Sequence, residues 1–365
     1  MRIVITGGGT GGHVFPAIAV AHELRKRLPS VDILYIGKRD GFEQRAAEGA
    51  GLRFHPITVA GWTRVGLYRK PLAIVKLAFG SVEAFVALVR FRPHAVFGTG
   101  GYVSFPVVVA AVLLRVPTVI HEQNRYPGLA NRILSRLVRR VVTTYEDETG
   151  SFPRKKCRLT GMPLRQDIVR LAGARVSPAQ FGLDPAKCTL FLLGGSQGAH
   201  SLNIAMIDAI SLLDPARYQV IFMTGKDDRE MVKERLRGSR VKSYIAPFFE
   251  DIAKAYAACD IVICRAGAST LAEITLFGLP AILVPYPYAA RGHQEANSRV
   301  MVEAGAATMI LNKELDGQKL ARLIEELASD LNKLAAMSEK SRGLARPHAA
   351  SEIVDMILDA ASRKH

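Results

Sequence analysis

The stretch "ITGGGTGGHVFP" (5–16) decides how this sequence is read. Gly7, Gly9 and Gly12 fit G-x-G-x-x-G directly behind the apolar run Ile3-Val4-Ile5, a fingerprint of dinucleotide folds. A strand, then glycines, then a helix leaves free backbone N–H groups at the positive end of a helix dipole, where phosphate binds. Glycine also makes ordinary tight turns, so one loop alone decides nothing. Two more follow apolar strands, "FGTGGYVSFP" (97–106) and "FLLGGSQGAHSLN" (191–203). Three such loops at strand C-termini are where open α/β sheets bind ligands.

NAD is tested at the second strand, whose end should carry an acid for the ribose. That strand reads "DILYIGKRD" (32–40), with Asp32 at its start, and Lys38 and Arg39 at its end. The pattern weakens NAD and leaves NADP open.

The rhythm around the loops is α/β. Strands are predicted at 2–6, 32–36, 95–98, 117–121 and 140–143, with helices at 16–28, 72–91, 104–114 and 128–137. The second half predicts strands near 189–193, 218–223, 241–245, 260–264, 281–284 and 307–310. Such alternation implies parallel sheets covered on both faces. Pro163, Pro178 and Pro185 interrupt it, which places domains at 1–163 and 164–345. A C-terminal helix within 346–365 is expected to pack back on the first.

The net charge of +16 is lopsided. Residues 1–163 carry 24 Lys/Arg against 10 Asp/Glu, and the remainder 25 against 23. A basic first half implies an anionic partner: nucleic acid, a phosphorylated ligand or an acidic membrane surface. No interleaved aromatic-basic pattern supports nucleic acid. The four cysteines form no C-x-x-C pair, which fits reduced thiols. No signal peptide or membrane span is expected; the run "FPVVVAAVLL" (105–114) stops at Arg115, short of the roughly 18 residues a span needs.

The richest segment is "VICRAGASTLAEITLFGLPAILVPYP" (262–287). A strand ends at Cys264, and Gly267, Ala268, Ser269 and Thr270 open a helix whose Ser or Thr is expected to cap it and whose N–H groups suit phosphate. Glu273, one turn in, suits the two hydroxyls of a ribose, or merely the helix dipole. Gln294 and Asn297 in "RGHQEANSR" (291–299) are amides on one helical face.

Together "GGTGGHVFP", "GTGGYVSFP", "HEQN", "GMPLR", "LGGSQGA", "CRAGASTLAEI" and "HQEAN", in this order, resemble the MurG family of peptidoglycan N-acetylglucosaminyltransferases. The resemblance implies a GT-B fold: two Rossmann-like doubly wound domains facing across a cleft. It implies inverting transfer of GlcNAc from UDP-GlcNAc to the C4 hydroxyl of MurNAc in undecaprenyl-diphospho-MurNAc-pentapeptide, lipid I to lipid II. By the same resemblance Arg165, Ser196 and the 267–272 turn meet the donor diphosphate, and Glu273 holds the ribose. The backbone at Phe249, where many relatives carry Ile, reads uracil. Gln294 and Asn124 contact the donor sugar, and Thr10, Gly11 and Gly12 border the donor from the first domain. Gly9, Gly100, Gly101 and Tyr102 are assigned to the acceptor side.

UDP leaves with developing negative charge. Helix N-termini and Arg165 can meet it; no Asp-x-Asp pair is present, and the acids of "KDDRE" (226–230) and "EDE" (146–148) read as solvated surface. No cofactor or structural metal is expected, UDP-GlcNAc being a co-substrate. His13 is the candidate general base on titration range and placement, with His121 and Glu122 as alternatives whose plainer role is structural. Leu72, Val75, Phe79, Val82, Phe85 and Val86, flanked by Arg64, Arg69, Lys70, Lys76, Arg90 and Arg92, are too many for one small core. Residues 64–92 therefore fit an anionic bilayer surface, or else a buried helix; Trp62 joins the patch or simply packs. The expected location is peripheral, on the cytoplasmic face of the cell membrane, beside other cell-wall synthesis enzymes. Rival readings are a lipid-acceptor GT-B enzyme of another pathway, a UDP-GlcNAc epimerase and a non-catalytic UDP-binding scaffold.

Overall fold

Ile3, Val4 and Ile5 are all without solvent exposure, as befits a parallel strand covered on both faces. In the computed structural model, which describes residues 1–60, 70–195 and 198–362 and only the backbone of 70–74, they form β1 (Arg2–Thr6). The first sheet adds β2 (Asp32–Lys38), β3 (Arg53–Ile57), β4 (Ala95–Gly98), β5 (Thr118–Glu122), β6 (Arg140–Thr143) and β7 (Cys157–Leu159). Its order is β3-β2-β1-β4-β5-β6-β7, all parallel, with Ile5 between Tyr35 and Phe97.

The second sheet repeats the plan. It comprises β8 (Cys188–Leu193), β9 (Tyr218–Met223), β10 (Ser243–Ala246), β11 (Ile261–Cys264), β12 (Ala281–Leu283) and β13 (Ala307–Met309). The order is β10-β9-β8-β11-β12-β13, again parallel. In both sheets the strand order reverses beside the first strand of the half: between β1 and β4, and between β8 and β11. Such switch points open a crevice beyond the strand C-termini.

The chain divides into two compact units, Met1–Arg165 with Arg346–His365, and Gln166–Ala345. Arg165 thus belongs to the first unit, two residues past the boundary expected at 163. The helix Ala349–Ser362 buries Ile353, Val354 and Ile357 in the same core as Ile3, Ile5, Val20 and Leu24. Each such side chain stabilises by roughly 1.5–3 kcal/mol. Arg27 adds hydrogen bonds to Asp355 and Ser351.

Two helices start earlier than expected. Their expected ranges are 16–28 and 104–114. The helices are Gly11–Arg27 and Gly101–Leu113, each with proline sixth. There the ring forfeits one bond, to the carbonyl four residues back. Gly11, Gly12 and Gly101 therefore belong to the first helical turns, and the other glycines of these loops precede them. The strands β3 and β7 and the helix Phe42–Gly49 were not expected. The edge strands read RFHPI and CRL, partly exposed and without an apolar run.

Candidate active site

In the first unit the C-terminal ends of β1 and β4 carry the first two glycine loops. Gly100 and Gly101 have φ of +90° and +77°, and a Cβ on Gly101 would sit 2.6 Å from the Gly8 carbonyl oxygen. Only glycine lets the two loops touch there. The His13 ring lies along this seam. Its Nδ1 donates to the Thr99 carbonyl at 2.8 Å, and the Thr99 hydroxyl donates to the His13 carbonyl at 2.8 Å. Nε2 has no partner among the described residues. Thr10 is extended (φ −150°) and supplies the helix N-cap without a side-chain bond. Gly9, Thr10 and Gly12 are exposed, and Gly11 is half-buried. No acid stands in the first turn of either the Gly11 or the Gly101 helix, so both N-termini keep their positive ends. The Tyr102 ring packs against Gly9.

Behind His13 lies a buried polar relay. The Thr99 carbonyl also accepts from Gln123 Nε2, which donates in addition to His121 Nδ1 at 3.1 Å. His121 Nε2 then donates to the Gly161 carbonyl at 3.0 Å. Full burial pushes the His121 pKa down to about 4, so this ring is neutral with both nitrogens engaged. Glu122 is buried and accepts from Asn124 N, Gly128 N and Asn131 Nδ2 at 2.8–3.1 Å. Neither alternative base is placed for proton transfer to a ligand; both hold the "HEQN" turn. Arg165 lies over the Phe15 ring at 5.7 Å.

In the second unit the third glycine loop follows β8, and the Gly267 turn follows β11. Gly198 (φ +76°) lies against the Thr224 carbonyl, which a Cβ would meet at 2.5 Å. Ser196, from this loop, lies outside the described residues. The helix Ala268–Phe277 starts behind Gly267 with no side-chain cap and no acid in its first turn, so neither Ser269 nor Thr270 caps it as expected. The Ser269 hydroxyl is buried and unpartnered. Two amides fix the strand end. Gln294 Oε1 accepts from Ala266 N at 3.1 Å and Tyr286 N at 2.8 Å, while Asn297 Nδ2 donates to the Ala266 carbonyl at 3.5 Å. Buried Tyr256 donates to Glu273 Oε2 at 2.9 Å. Burial and the Glu273 charge hold that phenol protonated. The Phe249 ring is buried against Phe181, Phe191 and Tyr244, whereas Phe248 is 49% exposed.

Known proteins place this pair of glycine-ended sheets. Residues 3–143 match the glycosyltransferase family 28 N-terminal domain, and residues 189–353 its C-terminal domain. The chain is 43% identical to the UDP-N-acetylglucosamine–N-acetylmuramyl-(pentapeptide) pyrophosphoryl-undecaprenol N-acetylglucosamine transferase of Desulforudis audaxviator, with 98% of each chain covered. Identity to the Bacillus subtilis protein of that name is 37%, over 98% of this chain and 99% of the other. The chain belongs to this family of N-acetylglucosamine transferases, the MurG family. The crystal structure of Acinetobacter baumannii MurG superimposes with a TM-score of 0.80 at 29% identity, covering 98% and 99% of the chains. A UDP-GlcNAc 2-epimerase from Neisseria meningitidis, at 13% identity and TM-score 0.69, shares the fold alone. The protein is thus a GT-B glycosyltransferase, and a dinucleotide reading of Gly7–Gly12 falls away.

The structure groups Gly9, Thr10, Gly11, Gly12, His13, Gly100, Gly101 and Tyr102 at one switch point. It groups Gly267, Ala268, Ser269, Thr270, Glu273 and Gln294 at the other. Several partners escaped the sequence. Glu43, buried and accepting Lys38 N, backs the first loop so closely that a Cβ on Gly8 would lie 2.4 Å from its Oε1. Gln123, Tyr256 and Arg265 were likewise missed; only the polar tip in the small-residue helix IAKAYAA hinted at Tyr256. The acids of "KDDRE" and "EDE" are less idle than expected. Asp228 accepts from His200 and Asn203, and Asp147 caps Ser151 and Phe152. Among the described residues no cluster of three His, Cys, Asp or Glu could hold a metal.

The helix Lys70–Phe91 buries small residues, Gly80, Ala84 and Ala87, with Leu88. Its other faces expose Val75, Phe79 (64%), Val82 (63%), Phe85, Val86 and Val89. It is therefore not the wholly buried helix of the alternative reading. Trp62, Arg64 and Arg69, and the side chains of Lys70 and Leu72, lie outside the described residues. No described helix is long and apolar enough to cross a membrane.

Proposed function

We propose that the chain transfers GlcNAc from UDP-GlcNAc, with inversion, to the C4 hydroxyl of MurNAc in undecaprenyl-diphospho-MurNAc-pentapeptide. One observation carries the reading: both switch points end in acid-free helix N-termini, in a chain that matches its transferase relatives end to end. The donor belongs to the second unit. The N–H groups of Ala268, Ser269 and Thr270, the Ser269 hydroxyl and Ser196 take the diphosphate. Glu273, its carboxylate fixed by Tyr256, takes the ribose hydroxyls. The Phe249 backbone reads the uracil edge, and Phe248 offers its exposed ring to the base. Gln294, whose oxygen is occupied, turns its Nε2 to the donor sugar. Arg165, Asn124, Thr10, Gly11 and Gly12 complete the donor contacts, and Gly9, Gly100, Gly101 and Tyr102 the acceptor's.

His13 is the base. Its Nδ1–H is committed to Thr99, which leaves the Nε2 lone pair to take the C4 hydroxyl proton as the oxygen attacks the anomeric carbon. The C1–O bond electrons leave with UDP, and the charge is met by helix N-termini and Arg165. These groups supply the charge balance, so no metal or cofactor is assigned a part. The exposed apolar face of the helix Lys70–Phe91, with Lys76, Arg90 and Arg92, docks on the anionic cytoplasmic surface of the membrane that holds the lipid acceptor. The purified chain, given UDP-GlcNAc, should release UDP only when a lipid I analogue is also present. UDP release with free sugar and no need for acceptor supports an epimerase instead.

A further inference from the structure

Arg265 follows β11 and leads into the Gly267 turn. It is only 8% exposed, and among the described residues no carboxylate pairs with it. Its Nη1 donates to the carbonyls of Val284 at 3.0 Å and Pro285 at 3.2 Å, and its Nη2 to the Ser201 hydroxyl at 2.9 Å. Its Nε–H is buried and has no hydrogen-bond partner among the described residues. Arginine stays charged in such a place, although burial lowers its pKa. The Tyr286 ring lies 5.9 Å from the guanidinium, but a buried cation without an anion is costly and buried charges are as a rule paired, so an anionic ligand would complete this one. The side chain is also a tie. Ser201 stands in the first turn of the helix His200–Ile210, behind the third glycine loop, so one guanidinium connects that helix to the strand end that opens the Gly267 helix.

We propose that Arg265 is a positioning residue for the donor diphosphate: a fixed cation that fastens the two phosphate-facing turns together and supplies their missing countercharge. It acts without touching the sugar, through the Gly267 turn and Ser201, and is preorganised for the charge that develops on departing UDP. The inference rests on the reading that the diphosphate sits on these turns.

Ligand-observed NMR titration of the full-length chain with UDP and with uridine tests it. Arg265→Gln weakens UDP at least twentyfold and leaves uridine within threefold. In turnover the same variant loses kcat as well as donor affinity, while the KM for the acceptor analogue is unchanged. Arg265→Lys, which keeps the charge, holds the UDP-to-uridine affinity ratio within fivefold of the parent and decides the matter if the Gln variant does not fold. Parallel weakening of both ligands, unaltered UDP affinity, or a Lys variant whose ratio collapses would each overturn the proposal. A parent chain that binds UDP no better than uridine would instead refute the donor reading, and this inference with it.

Discussion

Tyr256→Phe removes one oxygen, and its effect on the donor can be worked from the structure. The phenol is fully buried and donates to Glu273 Oε2 at 2.9 Å. A hydrogen bond to a charged group contributes about 1.5–3 kcal/mol. Glu273 is only half-buried, so water replaces part of that. The carboxylate keeps its charge and loses its fixed plane, for an expected loss of about 1 kcal/mol in ribose binding, or about fivefold in Kd. The phenylalanine ring still packs on Phe191 and Phe277, whose centroids lie 5.4 and 5.5 Å away, so the fold should hold. Calorimetric titration of parent and variant with UDP and with 2′,3′-dideoxy-UDP closes a double cycle. The variant should bind UDP about fivefold more weakly and the dideoxy ligand as the parent does. Equal losses for both ligands would refute the claim that Tyr256 acts through Glu273 on the ribose.

Three further outcomes are expected. His13→Ala should lower kcat by about 10²- to 10⁴-fold with the UDP-GlcNAc Kd within threefold of the parent; near-normal steady-state turnover would remove His13 as the base. Phe79→Glu with Val82→Glu should cut partition onto anionic vesicles by about tenfold or more, since two exposed apolar side chains each contribute up to about 1.5–3 kcal/mol when buried; flotation that ignores both the mutations and added salt would sink the membrane face. His121 is lowered to about 4 in the folded chain against about 6.5 unfolded. The unfolded chain therefore binds the extra proton, and stability present above pH 6.5 is lost as pH falls towards 4, by roughly 3 kcal/mol. Urea unfolding across that range should show the loss, and His121→Gln should flatten it; an equally steep profile in the variant would assign the dependence elsewhere.

The sequence makes the central strands legible because each, covered on both faces, is a continuous apolar run such as IVI or FLL. It hides β3 and β7 because edge strands need no such run. The three glycine loops are visible as composition, but their meaning depends on strand order. Only the sheet shows that the first two flank one switch point, and that the third shares the other with the Gly267 turn. The starts at Gly11 and Gly101 are hidden because glycine is a poor helix former and a proline stands sixth in each helix. Partners that meet through tertiary structure leave little trace. His13 and Thr99 are 86 residues apart, and Arg265 and Ser201 are 64 apart. Arg165 is nearest the second half in sequence yet packs on Phe15 of the first unit.

The most direct test of the central claim is the product itself. The full-length chain, UDP-GlcNAc labelled in its sugar and a lipid I analogue are incubated together, and the labelled product is isolated for linkage analysis by NMR. The account predicts label on the lipid, joined to C4 of MurNAc with the β configuration at its anomeric carbon. Label recovered only as free sugar, an α linkage, or no transfer by a folded, UDP-binding chain would contradict it.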